Sequence, residues 1–413
     1  MPTIAPFKAY RYNEDKIRKF DDVLAPPYDV ISKEQQEALY KKSPYNFVRL
    51  DFKKQADASS GNVYDAAARE LEQWISSGVF RREDRDSIYV YVQTYKNQEG
   101  KKKKRVGFFA LMEIDQKKVR KHEKTLTGPK VDRAALLERL RANMSPIFGL
   151  FEDPGKKVHA QVLSTAAKEK PIVDVTIDGV KHELYVENDP KRLDAIRKAI
   201  DKKPMYIADG HHRFEVSSQY REKHSDLSTP EGKGGRYVLT YLCASDHNDL
   251  TIYPTHRALK LDGDWARRMQ SIVKASFKYK LVPSHAAMMK ALDRPSKAPL
   301  LGVAWKEGEK GKIYFSILAP KKPTKDLDVM LADRLVIRPL TGEDTAGSGR
   351  IKYSRDAAEA FGWLKKGQSD LVIFLAKMPI KEIIRVSDAG VNLPQKSTYF
   401  YPKLLSGLVF YKF

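Results

Sequence analysis

The sequence predicts a mixed α/β fold. Three observations lead there. Short apolar runs with period-two alternation recur along the chain, interleaved with stretches of helical periodicity. Glycine, proline and Asp-Gly turns punctuate them. No repeat, heptad array or low-complexity linker interrupts the alternation.

The first stretch, residues 1–115, opens with an extended, proline-bearing segment. Helical periodicity covers 34–40 and 64–77, with Val63, Ala67, Leu71, Trp74 and Ile75 as the apolar stripe. A hairpin over 88–112 follows, its Val90, Val92 and Thr94 alternating with Tyr89, Tyr91 and Gln93. The run Lys101 to Arg105 falls at the hairpin tip and reads as a solvated basic turn. In residues 116–265, the segment 121–130 reads as a loop closed by Gly128-Pro129. Asp132 is placed to cap a helix over 133–143. Strands at 173–177 and 182–186 flank Asp178-Gly179, a strong hairpin signal. A helix over 191–200 leads into an apolar strand ending at Asp209. Residues 232–235, three of them glycine, read as a flexible break. A buried strand over 237–245 carries Cys243 as a core thiol. Residues 266–413 alternate again, with strands at 278–282, 300–305, 312–318 and 370–376 and helices at 286–292, 327–336 and 380–389.

Composition narrows the function classes. With 413 residues, 42% of them hydrophobic, the chain can bury a large core in two or three lobes. One cysteine rules out an internal disulfide and fits a reducing cytosol. No run approaches the roughly 20 apolar residues of a membrane span, so a soluble cytoplasmic protein is expected. The net charge of +22 admits two partners. One is nucleic acid in a basic groove; the other is a small polyanionic substrate surrounded by cations. No zinc-finger, basic-zipper, RNA-recognition or helix-turn-helix signature supports the first.

The most informative segment is Asp209-Gly210-His211-His212-Arg213, between an apolar strand and a helix-forming run. Gly210 permits a tight turn and close approach to a ligand. Amides at a helix start favour an anion, and Arg213 can grip phosphate oxygens in a fork. The site therefore suits a phosphate or polyphosphate. Zinc fits poorly, because adjacent turn histidines rarely reach one ion and the cysteine partners are lacking. Neither a P-loop nor the protein-kinase motif set is present.

This segment resembles the phosphate-binding motif of the ParB and sulfiredoxin-like superfamily. Further blocks extend the resemblance to one large bacterial and archaeal family catalogued as a domain of unknown function. They are Pro26-Pro27-Tyr28-Asp29-Val30-Ile31, Pro44-Tyr45-Asn46-Phe47-Val48-Arg49, His122-Glu123-Lys124-Thr125, and Gly128-Pro129-Lys130 with Asp132-Arg133. Asn143, Ser145-Pro146-Ile147-Phe148, Pro254-Thr255-His256-Arg257 and the stretch Leu393 to Lys403 complete the series. The family is similar to a serine kinase that uses pyrophosphate.

The resemblance implies a ParB-like catalytic core in residues 116–265, with 266–413 returning Lys396-Ser397-Thr398-Tyr399-Phe400-Tyr401-Pro402-Lys403 to the site. It implies phosphoryl transfer to free L-serine from pyrophosphate, with ATP or ADP as the alternative donor. Asp209, His211, His212, Glu123 and Asp29 are the catalytic candidates. Gly210, Arg213, Lys124, Lys130, His256, Arg257, Lys396, Ser397 and Thr398 are the phosphate contacts. Mg2+ is the implied cofactor, through Asp209 or Glu123. The competing expectation is a nucleotide-dependent nucleic-acid-binding protein, as ParB itself is.

Overall fold

The computed structural model describes residues 3–57, 61–123, 125, 127–201, 203–247, 250–294, 296, 298–307, 311–342 and 349–413. The fold is mixed α/β. Contacts group the chain into two units. The first comprises Met1–Lys121, Thr125–Thr251 and Phe400–Phe413; the second comprises His122–Lys124 and Ile252–Tyr399.

A nine-stranded sheet organises the first unit. Its order is Val119–Arg120, Met205–Asp209, Ile147–Phe151, Tyr237–Ala244, Lys102–Glu113, Ile88–Lys96, Val180–Glu187 and Val173–Ile177, with Ile4–Ala5 beside Lys102–Glu113. Most pairs are antiparallel, but Tyr237–Ala244 runs parallel to Ile147–Phe151, and Met205–Asp209 parallel to Val119–Arg120. Val90, Val92, Phe108, Ile147, Ile207, Phe214 and Leu242 belong to the core against the sheet. The hairpin at Asp178-Gly179 forms as its sequence demands, both residues having positive φ (49° and 74°). Cys243 is a buried thiol that donates to the Ala244 carbonyl at 3.5 Å.

Several local expectations are corrected. Away from its tip, the 88–112 hairpin is buried on both faces over 88–93 and 105–112, so Tyr89, Tyr91 and Gln93 are as enclosed as the valines between them. Alternating polarity there marks hydrogen bonding inside the protein: the Tyr89 hydroxyl donates to the Phe7 carbonyl (3.1 Å). The strand after the turn begins at Lys102, and Arg105 is wholly buried instead of lying on a solvated tip. Its guanidinium bonds the Gln93 side chain and the carbonyls of Tyr401 and Pro402, and lies 4.9 Å from the Phe148 ring centroid.

Helix Thr127–Leu140 starts earlier than expected, so Asp132 is an interior residue and not a cap. It accepts from the Tyr64 hydroxyl (2.8 Å) and from Arg133 Nε (2.7 Å). Residues 232–235 are no break either. They lie in helix Pro230–Gly235, which Thr229 caps, and Gly234 faces the Phe413 side chain, where a Cβ would collide.

The second unit carries a six-stranded antiparallel sheet. Its order is Phe277–Val282, Ile313–Pro320, Leu301–Lys306, Leu371–Phe374, His256–Leu259 and Ile351–Ser354. Helices His285–Leu292 and Ala357–Lys365 share its core through Met288, Leu292, Ala360 and Leu364. The expected helix at 327–336 is an α-turn, Asp328–Leu331, running into a π-helical segment, Ala332–Ile337. Among the described residues, no helix is long and apolar enough to cross a membrane.

Candidate active site

Strand Met205–Asp209 is buried as far as Ala208 and ends at a half-buried Asp209. Its pairing with Ile147–Phe151 shifts register between Ile207 and Asp209. Such an irregularity re-aims the last side chain. Gly210 then takes φ 87°, ψ 29°, a left-handed conformation that L residues adopt only with strain. Helix His211–Lys223 starts immediately, and no side chain caps it. Its first turn therefore presents amides at the strand end, with the helix dipole adding partial positive charge.

Charge gathers on Asp209. Lys403 Nζ donates to its Oδ2 at 3.1 Å, and an Arg213 nitrogen lies 3.7 Å from the same oxygen. Burial would push the Asp209 carboxyl up, but Lys403, Arg213 and His211 hold it well below the usual carboxylate range. About 25% of its side-chain surface still reaches solvent, so a ligand can reach it. Arg213 also donates to the Pro146 carbonyl, which fixes the guanidinium beside the strand end. His211 is buried and His212 half-buried in the first helical turn.

Two further motif blocks come to this neighbourhood. Burial pushes the Tyr28 hydroxyl up to about 12, against the pull of Arg133 and Arg213. The Pro26-Pro27-Tyr28-Asp29 segment therefore lies within electrostatic reach of the Asp209-to-Arg213 loop. Asp29 is exposed on the short turn Tyr28–Val30. The Arg133 guanidinium sits 4.0 Å from the Tyr28 ring centroid and pairs with buried Asp51 at 2.9 Å. Asp51 in turn accepts from Ser145, whose hydroxyl lies 2.8 Å from that of Ser406. This network ties the blocks around 28, 51, 133 and 145 into one scaffold. Lys130 is turned to Glu215 of the His211 helix at 2.8 Å, and Thr125 donates to the same carboxylate. Glu215 balances Lys130, which is thus not an isolated cation.

The remaining candidates lie in the second unit. Glu123 forms a β-bridge with Leu393. His256 is buried, its Nδ1 accepting from the Leu375 amide (3.3 Å), and burial pulls its imidazole down to about 3. Arg257 is equally buried and donates to the carbonyls of Thr255, Gln395 and Lys396. Both are committed to neighbouring backbone groups. Lys396 is exposed at φ 54°, Ser397 donates to the Pro394 carbonyl, and Thr398 lies 3.4 Å from His122 Nε2. Lys124 lies outside the described residues. The closing segment thus divides: its lysine-serine-threonine start belongs to the second unit, and Lys403 reaches Asp209 in the first.

Sequence reasoning passed over Lys403, Glu215, Asp51 and Arg133 as site residues. Each lay inside or next to a recognised block. Among the described residues, no three His, Cys, Asp or Glu side chains are grouped to hold a metal.

The sequence profile of a family described as a protein of unknown function (DUF1015) matches residues 4–330. The chain belongs to this family. No curated protein matches the sequence. Among solved structures, this chain is similar to a free serine kinase mutant in complex with ADP, at 14% identity and TM-score 0.41, covering 71% of this chain and 87% of that one. A conserved hypothetical protein from Pyrococcus furiosus is similar at 13% identity and TM-score 0.40, over 73% and 94% of the two chains. SbnI from Staphylococcus aureus, with a C-terminal truncation, is similar at 13% identity and TM-score 0.37, over 73% and 86%.

Proposed function

We propose that this DUF1015 protein is a phosphotransferase whose acceptor is the hydroxyl of free L-serine and whose favoured donor is pyrophosphate. The observation that carries the reading is the Asp209 carboxylate held by Lys403 and Arg213 at the mouth of an uncapped helix. Phosphoryl transfer asks for positioning, positive charge on the donor oxygens and one carboxylate to orient the nucleophile. Lys403, Arg213 and the amides from His211 onward supply the charge.

Both cations address Oδ2 of Asp209. We assign Oδ1 to the serine hydroxyl or to magnesium. A depressed carboxyl is ionised throughout the neutral range, so Asp209 orients the hydroxyl more than it takes a proton early. In the step, serine Oγ forms a bond to the terminal phosphorus as the bridging P–O bond breaks. Orthophosphate leaves, and the hydroxyl proton passes to Asp209 or solvent. Magnesium usually rests on one or two carboxylates plus substrate phosphates. A single carboxylate at this position fits such an ion, which would neutralise charge on the donor.

Pyrophosphate ranks above ATP or ADP because it needs cationic groups alone, and no adenine pocket is announced by a motif. Glu123 and Asp29 are the alternative carboxylates for orientation. The test incubates the protein with magnesium, serine and each donor, and measures O-phosphoserine by mass. Product is expected with pyrophosphate, falling by on the order of a hundredfold in Arg213→Ala. Unchanged turnover in Arg213→Ala and His212→Ala overturns the assignment; product with ATP alone reverses the donor. No product from serine, together with tight, salt-sensitive binding of DNA or RNA, replaces it with a nucleic-acid function.

A further inference from the structure

A cleft of about 980 Å3 opens in the second unit, lined by none of the residues assigned to phosphoryl transfer. Its volume is in the range of small-molecule sites. Three aromatics line it: Trp265, Trp305 and Tyr314. Trp305 and Tyr314 face each other across two adjacent strands, with ring centroids 5.5 Å apart and planes at 20°. Stacked rings of this kind present a flat apolar face.

Charge gives the cleft a sign. Lys260, Lys306, Lys365 and Lys366 line it, against the two carboxylates of Glu307 and Asp370. Asp370 is already paired with Lys260 at 2.9 Å. Among the described lining residues, lysines thus outnumber carboxylates by four to two. A neutral sugar would use the aromatics but not the lysines. A simple phosphate would use the lysines but not the aromatics.

We propose that the cleft binds a nucleotide, the base against the Trp305–Tyr314 face and the phosphates among the lysines. This site is independent of the proposed transfer reaction and would make the second unit a nucleotide sensor.

The test uses the full chain carrying Arg213→Ala, so that any donor site at the Asp209 loop is weakened. Isothermal titration with ADP and AMP is expected to give binding below about 1 mM. Trp305→Leu and Lys366→Glu should each weaken it by about tenfold, with adenosine alone and orthophosphate alone binding more weakly than ADP. Lys366 is exposed, so its substitution keeps the test readable if Trp305→Leu disturbs the fold, which a melting curve reports. Three results overturn the proposal: binding unchanged in both variants, no binding in the Arg213→Ala chain, or tight binding of an oligonucleotide where ADP does not bind. ADP binding seen in the natural sequence and lost in Arg213→Ala would assign the nucleotide to the Asp209 loop and remove it from this cleft.

Discussion

Asp209 and its two cations show what single residues contribute and how far each is legible. The Asp209-to-Arg213 block announces itself locally, because an acid, a glycine and a base follow one strand. Lys403 does not, because it comes from 194 residues away and only folding brings it to the carboxylate. The pair also makes a linkage prediction. The Asp209 carboxyl is depressed in the folded protein, against an unfolded value near 3.9. Its contribution to stability is therefore present above about pH 4 and lost as pH falls further. Lys403→Met should raise the Asp209 titration, followed by carboxyl-carbon NMR, and lower stability at neutral pH. The gap to the natural sequence in urea unfolding should narrow as pH drops below about 4. A gap that stays constant to pH 2 would mean that Lys403 does not act through this carboxylate.

Elements were legible where a local pattern and burial agree. Helix Val63–Ser76 keeps Ala67, Leu71 and Trp74 inside, as its periodicity demands, and the Asn62 side chain caps it. They were illegible where tertiary packing overrides local preference. The glycines of helix Pro230–Gly235 read as a break, yet they permit close packing against Tyr220 and Phe413. Arg105 read as part of a charged tip because its partners, Gln93 and two carbonyls beyond residue 400, are invisible locally. Replacing it by Leu leaves those acceptors unpaired in the interior. The expected cost is on the order of 3 kcal/mol, read as a lower denaturation midpoint; a loss under about 0.5 kcal/mol would show that the network is dispensable. Gly210 joins strand to helix at φ 87°. Gly210→Ala should cost about 1–2 kcal/mol through its backbone. Its Cβ would also come within 3.1 Å of Arg213 Nε and 3.0 Å of Ile147 Cγ2. Arg213 must then shift, so phosphoryl transfer should fall more than stability does. Equal turnover in a folded Gly210→Ala protein would remove the loop from the reaction.

Across the whole molecule, buried titratable groups set the response to acid. His182 is pulled down to about 3, first by burial and then by Arg105; its Nδ1 lies 2.5 Å from the Tyr91 hydroxyl. His256 is lowered to about 3 by burial and Arg257, and His285 is lowered as well. An unfolded histidine takes its proton near 6.5. Below that value the unfolded chain binds protons that these folded imidazoles refuse, down to about 3 for His182 and His256, so stability present above pH 6.5 is lost as pH falls. Asp328 acts in the opposite sense. Burial raises its carboxyl to about 6, so from about 6 down to the unfolded value near 3.9 the folded protein takes the extra proton and gains stability. The two strongly lowered imidazoles, with His285 adding in the same sense, outweigh one carboxyl, and the protein should lose stability as pH falls from 6.5 towards 4.5. Urea midpoints across that range measure the slope. His182→Gln should flatten the dependence of the first unit, since it removes a strongly lowered imidazole while leaving a side chain that can still bond Tyr91. Asp328→Asn should steepen the dependence of the second unit, because the carboxyl that offsets its histidines is gone. If neither substitution changes the slope, the acid response comes from other groups and the buried imidazoles are already protonated in the fold.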